Sequence, residues 1–106
     1  MYITHYQQKH DNMTITGIIW LRKFVEKLYI KHGVETDEVE DVFYEHPRIE
    51  LAGKGKVRGE NLYKALGQTE DGRYLTIIFI YKPTEQKALV ISARDMDRAE
   101  RKRYER

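Results

Sequence analysis

A chain of 106 residues, 41% hydrophobic and 34% charged, has the size of one domain with one modest core. Its formal charge of +2 does not by itself point to a nucleic-acid partner, and the absence of cysteine excludes disulfides, thiolate catalysis and Cys-ligated zinc. No apolar run approaches the roughly 20 residues of a membrane span, and the polar start MYITHYQQKHDNM has no secretory core. A cytoplasmic protein with no membrane partner is the expectation.

The first thirteen residues show no helical period and read as a tail or extension, with Met13 a candidate start. One domain is then expected over residues 14–106. MTITGIIW suggests a first strand over 14–20. From Leu21 the period changes, because Leu21, Phe24, Val25 and Leu28 recur at the spacing of one helix face. Gly33 supplies a stop able to take left-handed angles. Thr36 reads as the N-cap of a second helix, with Asp37 and Glu38 in its first turn and Val39, Val42 and Phe43 on its apolar stripe. Pro47 ends it.

The second half is strand-rich: IELAG, the loop KGKVRG, NLYKALGQT, the hairpin turn EDGR, YLTIIFIY, the turn KPTEQ and KALVISAR. Asp97 and Glu100 have the spacing of a capping box that opens a last helix, DRAERKRYER. The predicted order is β-α-α-β-β-β-β-α, an α+β fold with a mostly antiparallel sheet and helices packed on it.

Charge is unevenly placed. Residues 35–50 hold seven acids against one arginine, whereas 53–59 hold Lys54, Lys56 and Arg58 with no acid. That loop is either a phosphate clamp or a solubilising surface. The four histidines are scattered, so neither a metal site nor a cofactor is expected. Lys31 and His32 close the first helix, where cations complement the helix dipole. They could equally place an imidazole for proton transfer beside a phosphate-binding ammonium. In ALVISAR, alternation puts Val90, Ser92 and Arg94 on one face, and Arg94 needs a carboxylate or a cleft, since its planar fork suits either carboxylate or phosphate. Lys64 and Tyr63 take opposite faces of their strand. Tyr63 and Tyr81 are candidates for base stacking, with core packing the alternative.

KHGV, the acidic helix ending in VF, GE…ALGQTEDGRYL, ISAR and ERKRYE follow one another in an order that resembles the BrnT family, from about Trp20 to Glu105. The resemblance implies a RelE-like fold and a ribonuclease toxin of a type II toxin–antitoxin pair. It also implies metal-independent mRNA cleavage by 2′-OH attack on the adjacent phosphate. Carried over by motif, His32 would transfer protons, Lys31 and Arg94 would stabilise the phosphate, and Lys54, Lys56, Arg58 and Lys64 would support the RNA. The implied partners are an RNA substrate and a ribbon-helix-helix antitoxin of the BrnA kind, with operator DNA reached only through that complex.

The chain departs from the family's pattern at Leu21, where Asp is common, at Leu28, where Asn is common, at Leu62, where many members have Arg, and at Gln68. Losing one arginine from a transition-state clamp can cost about 10²–10³ in rate. Two further functions therefore stand beside the ribonuclease: a catalytically silent antitoxin-binding module, and a nucleic-acid-binding domain acting in autoregulation. The ribonuclease predicts convergence of Lys31, His32 and Arg94; the silent module predicts none, or a cleft closed by side chains such as Leu62.

Overall fold

The structure, a computed structural model, describes residues 6–7, 13–56 and 59–106. Arg58 and most of the N-terminal extension, including His5 and His10, lie outside the described residues. Two short strands, β1 (Tyr6–Gln7) and β2 (Thr14–Ile15), pair antiparallel. After β3 (Gly17–Ile19) come α1 (Arg22–His32) and α2 (Thr36–Tyr44), then four long strands and a last helix. The strands are β4 (Arg48–Lys54), β5 (Asn61–Gln68), β6 (Tyr74–Lys82) and β7 (Lys87–Asp95), and the helix is α3 (Arg98–Tyr104). The main sheet has the order β3-β7-β6-β5-β4, with only β3–β7 parallel. This is the expected α+β architecture.

The expected first strand is split at Thr16. Its N–H and its hydroxyl both donate to the carbonyl of Gln86, at 2.7 and 3.1 Å, so this residue is tied to the turn before β7 and interrupts the ladder.

α1 and α2 cover one sheet face. Leu28, Val34, Val39, Val42 and Phe43 meet Tyr63, Ala65, Ile77, Phe79, Ala88, Val90 and Ala93 in one buried cluster. Of the stripe read from the sequence, Leu28 alone is fully buried. Leu21 is 40% exposed, because it is the extended N-cap residue and lies before the helix proper. Gly33 ends α1 as expected, in the left-handed conformation (φ 63°). The N-cap of α2 is Glu35 rather than Thr36, which is already helical; the Glu35 N–H is taken by the Glu38 carboxylate at 3.0 Å. α2 rests directly on β5 at Gly67, where a Cβ would lie 2.7 Å from Val42 Cγ1.

α3 crosses the other face of the sheet, over Leu66 and Thr76. Both are fully buried and lie outside the main cluster. The capping box is present: Glu100 N–H donates to Asp97 Oδ1 at 2.7 Å and Asp97 N–H to Glu100 Oε1 at 2.9 Å. Tyr63 stacks on Phe79, and the Tyr81 hydroxyl donates to Thr14 O at 2.6 Å, so both tyrosines belong to the packed interior.

One register shift matters for the site. Phe79 pairs with Val90 but Ile78 pairs with Ser92, leaving Ile91 as an extra residue in β7. Such a bulge exchanges the faces of everything beyond it. Val90 therefore faces the helical core, whereas Ser92 and Arg94 face α3. The single shared face read from simple alternation does not exist.

Candidate functional site

A cluster of charged side chains sits under α3. Register places Arg94 opposite Thr76 on β6, and Lys64 opposite Ile78, on the same sheet face. The Glu100 side chain, 1% exposed, enters this group from α3. Its Oε1 accepts from Arg94 Nη1 (2.8 Å), Thr76 Oγ1 (2.8 Å) and Asp97 N (2.9 Å). Its Oε2 accepts from Arg94 Nη2 (2.8 Å) and Lys64 Nζ (2.9 Å). Burial alone would raise the Glu100 carboxyl, but hydrogen bonds from Arg94 and Lys64, helped by the Asp97 N–H and Thr76, pull it far below the ordinary carboxylate range. Near neutrality it is an anion held by five donors. The Arg94 guanidinium is correspondingly raised by its hydrogen bonds to Glu100.

Two cations thus share one buried carboxylate, with the Asp97 carboxylate also acting on Arg94. Arg94 and Lys64 retain side-chain exposures of 29% and 26%. Arg94 carries five N–H bonds in a planar fork. Nη1 uses both of its own, on Glu100 and on the Asp95 carbonyl at 3.2 Å, and Nη2 uses one. Among the described residues, no acceptor engages Nε–H or the second Nη2–H. These two point along one edge, the edge that fits two oxygens of a phosphate.

His32 and Lys31 are exposed at the end of α1. Arg73, at the close of the hairpin turn, grips this end. Its Nη2 donates to His32 O at 3.0 Å and its Nη1 to Gly33 O at 3.0 Å. It also holds Glu38 (3.2 Å) and both oxygens of Asp95 (2.8 and 3.3 Å). The Asp95 carboxyl is lowered chiefly by the Arg73 hydrogen bonds, with the nearby His32 charge contributing. His32 is thus close to Asp95, the residue after Arg94. Successive side chains of a strand point to opposite faces, so His32 lies on the helical side of the end of β7 and Arg94 on the α3 side.

The remaining candidates are elsewhere. Lys54 pairs with Asn61 at the far end of β4, roughly 20 Å from Arg94 at ordinary strand spacings. Lys54 and Lys56 are exposed and, like Lys31, form no ion pair among the described residues. Leu62 shares Lys64's face, two residues along β5 and opposite Ile80, and is half-buried. Leu28, at a family Asn position, is core. Gln68 Nε2 donates to Gly72 O at 3.2 Å and so supports the hairpin turn. Sequence reasoning missed Glu100, Thr76 and Arg73 as site residues. Only Glu100 left a trace, as the third residue of a capping box.

Residues 22–100 match the family model described as the ribonuclease toxin BrnT of type II toxin–antitoxin systems. The chain belongs to the BrnT family. No curated protein matches it individually. The match begins at the first residue of α1 and ends at Glu100, so it takes in the helix bearing Lys31 and His32, the strands bearing Lys64 and Arg94, and the carboxylate that joins them. BrnT membership makes this a ribonuclease toxin by family and implies an antitoxin partner. No helix among the described residues is long and apolar enough to cross a membrane.

Proposed function

We propose that the protein is a metal-independent endoribonuclease of RelE-like type that cleaves mRNA in the cytoplasm and is neutralised by a ribbon-helix-helix antitoxin of the BrnA kind. Operator DNA is contacted only through the toxin–antitoxin complex. The observation that carries the chemistry is the Nε–Nη2 edge of Arg94, which no acceptor among the described residues engages.

In this reaction the ribose 2′-oxygen attacks the adjacent phosphorus, a P–O bond forms and the P–O5′ bond breaks. The products are a 2′,3′-cyclic phosphate and a 5′-hydroxyl. The enzyme has to accept the 2′-OH proton, hold the extra negative charge of the five-coordinate phosphorus and return a proton to the 5′-oxygen. His32 carries the proton. Arg94 presents its edge to two non-bridging oxygens, and Lys31 adds charge beside His32. Because the two groups lie on opposite faces at the end of β7, the scissile phosphate has to sit at that end, reached by Arg94 from the α3 face and by His32 from the helical face. Lys64, Lys54, Lys56 and Arg58 hold the flanking phosphates.

A second reading, a silent antitoxin-binding module, draws on the placement of His32 and Arg94 on opposite faces and on Leu62, which stands where many relatives have Arg and shares the face of Lys64. The deciding experiment incubates purified protein with end-labelled RNA in EDTA, with and without ribosomes, beside His32→Ala and Arg94→Ala. Cleavage that leaves 2′,3′-cyclic ends and is lost in both variants is the expected result. A folded wild type inert under every condition would overturn the ribonuclease and leave the binding module.

A further inference from the structure

The most deeply buried ionised group in the described structure plays no part in the chemistry just outlined. A carboxylate sealed beneath a helix needs compensation for its lost hydration. Glu100 obtains it from five donors, two of them the cations Arg94 and Lys64. Fold stability does not require that arrangement, since a well-packed apolar side chain in such a place is often neutral or better. The capping box does not require it either, because closing that box uses one Glu100 oxygen and one backbone N–H. The excess lies in the pairing with Arg94.

That pairing has a specific geometry. Oε1 and Oε2 each take one terminal nitrogen, so the guanidinium is gripped end-on and its plane is fixed. A guanidinium gripped along its Nε side would offer a ligand only its Nη1–Nη2 end; gripped end-on, it keeps the Nε–Nη2 edge. End-on pairing, with the Asp95 carbonyl occupying the remaining Nη1 hydrogen, leaves the Nε–Nη2 edge without an acceptor among the described residues, on a side chain that is 29% exposed. The same carboxylate tethers Lys64 through one of its three N–H bonds, leaving two.

We infer that Glu100 is a positioning residue. From the underside of α3 it holds Arg94 with its Nε–Nη2 edge presented to a phosphodiester, and Lys64 beside it, while touching no substrate itself. This rests on the ribonuclease reading for the identity of the phosphodiester. A fixed edge matters because the fork must meet two oxygens whose positions change as phosphorus becomes five-coordinate, and misplacement of a clamp by about 1 Å can cost about 10²-fold in rate.

The test compares Glu100→Gln, which keeps the shape without the charge, and Glu100→Asp, which keeps the charge on a shorter arm, with the wild-type chain. Two variants are used so that one folding failure does not decide the matter. Three readouts are taken: kcat on labelled RNA, affinity for a fluorescent 2′-O-methyl oligonucleotide that cannot be cleaved, and the ¹⁵N–¹H resonance of Arg94 Nε, assigned by its absence in Arg94→Lys.

The expected result is a kcat lower by about 10²-fold in both variants. Oligonucleotide affinity should stay within about threefold, because both cations remain. The Nε resonance should be sharp and shifted by the oligonucleotide in wild type, and broadened in the variants. A purely structural role would leave the resonance and the kcat of the folded variants unchanged, and that outcome overturns the inference. A faster variant also overturns it, by making Glu100 a competitor for Arg94, and leaves the ribonuclease intact. A wild type that cleaves nothing, yet whose Nε resonance still shifts with the oligonucleotide only when Glu100 is present, sinks the ribonuclease reading and retains the positioning role.

Discussion

Two arginines separate the structural from the chemical in this molecule. Arg73 and Arg94 both pair with carboxylates at the same end of the sheet, and each has 29% of its side chain exposed. Arg73 has all five N–H bonds occupied, by His32 O, Gly33 O, Glu38 and both oxygens of Asp95. It ties the end of α1 to α2 and β7, and has no donor for a ligand. Arg94 has three occupied and two free along one edge. A paired arginine is therefore no evidence against a role in binding; the number and direction of its remaining donors decide.

The same mild substitution should separate them. Arg94→Lys keeps the charge but replaces a planar fork by a point charge, and cleavage should fall by about 10²–10³-fold, the usual effect of losing one transition-state donor. Arg73→Lys leaves the free edge of Arg94 intact and should lower kcat less, by about tenfold, through the loosened end of α1 that carries His32. Equal losses of activity at both sites would erase the distinction. Next in size is Glu100→Ala, which strands Arg94 and Lys64 against an apolar helix underside. Breaking a buried pair costs about 3–5 kcal/mol. Both cations can still reach water here, so about 3 kcal/mol is expected by urea denaturation. A change under 1 kcal/mol would show that the cluster contributes nothing to the fold.

How much of this was visible beforehand follows from the range of each interaction. The element order was legible because every long element carries its own period and its own stop signal. Gly33, Gly72 and the Asp97–Glu100 box are local, and each appears where its chemistry requires. The face of Arg94 was misread because one extra residue, Ile91, shifts the alternation, and nothing in ALVISAR marks it. Glu100 was recognised as a cap, yet its partners Lys64, Thr76 and Arg94 come from three neighbouring strands, 36, 24 and 6 residues away. That meeting depends on register, which the sequence does not spell out. Arg73 looked like the tail of a turn for the same reason. Lys31 and His32 were legible as a helix end; their placement across the end of β7 from Arg94 was not.

Arg73→Lys should also reveal the smaller structural contribution. Lysine cannot cap two carbonyls and hold two carboxylates together, so the end of α1 loses its fastening. Asp95 is 66% exposed, which makes its part of the network weak. The backbone acceptors at His32 and Gly33 carry most of the loss, and about 1–2 kcal/mol is expected. Thermal unfolding would check it, since a loss above 3 kcal/mol would place the main structural anchor here rather than under α3.

Acid titration extends the comparison to its finest difference. Glu100, Asp95 and Glu50 all have folded carboxyls held below their ordinary values, Glu50 chiefly by Arg103. A lowered folded value means that the unfolded chain binds protons first as pH falls. Each group's contribution is complete above its ordinary value, 4.5 for Glu and 3.8 for Asp, and is lost as pH drops toward the folded value. Wild-type stability should thus be level near neutrality and decline below about pH 4.5. Glu100→Gln removes the most strongly lowered carboxyl, so the decline should become clearly shallower. Arg73→Lys acts only through exposed Asp95, and should flatten it barely at all. Urea unfolding between pH 3 and pH 7 measures both slopes. If Arg73→Lys proved the shallower of the two, the strong electrostatic anchor would lie at the end of α1, and Glu100 would be a weakly coupled carboxylate unable to fix the plane of Arg94.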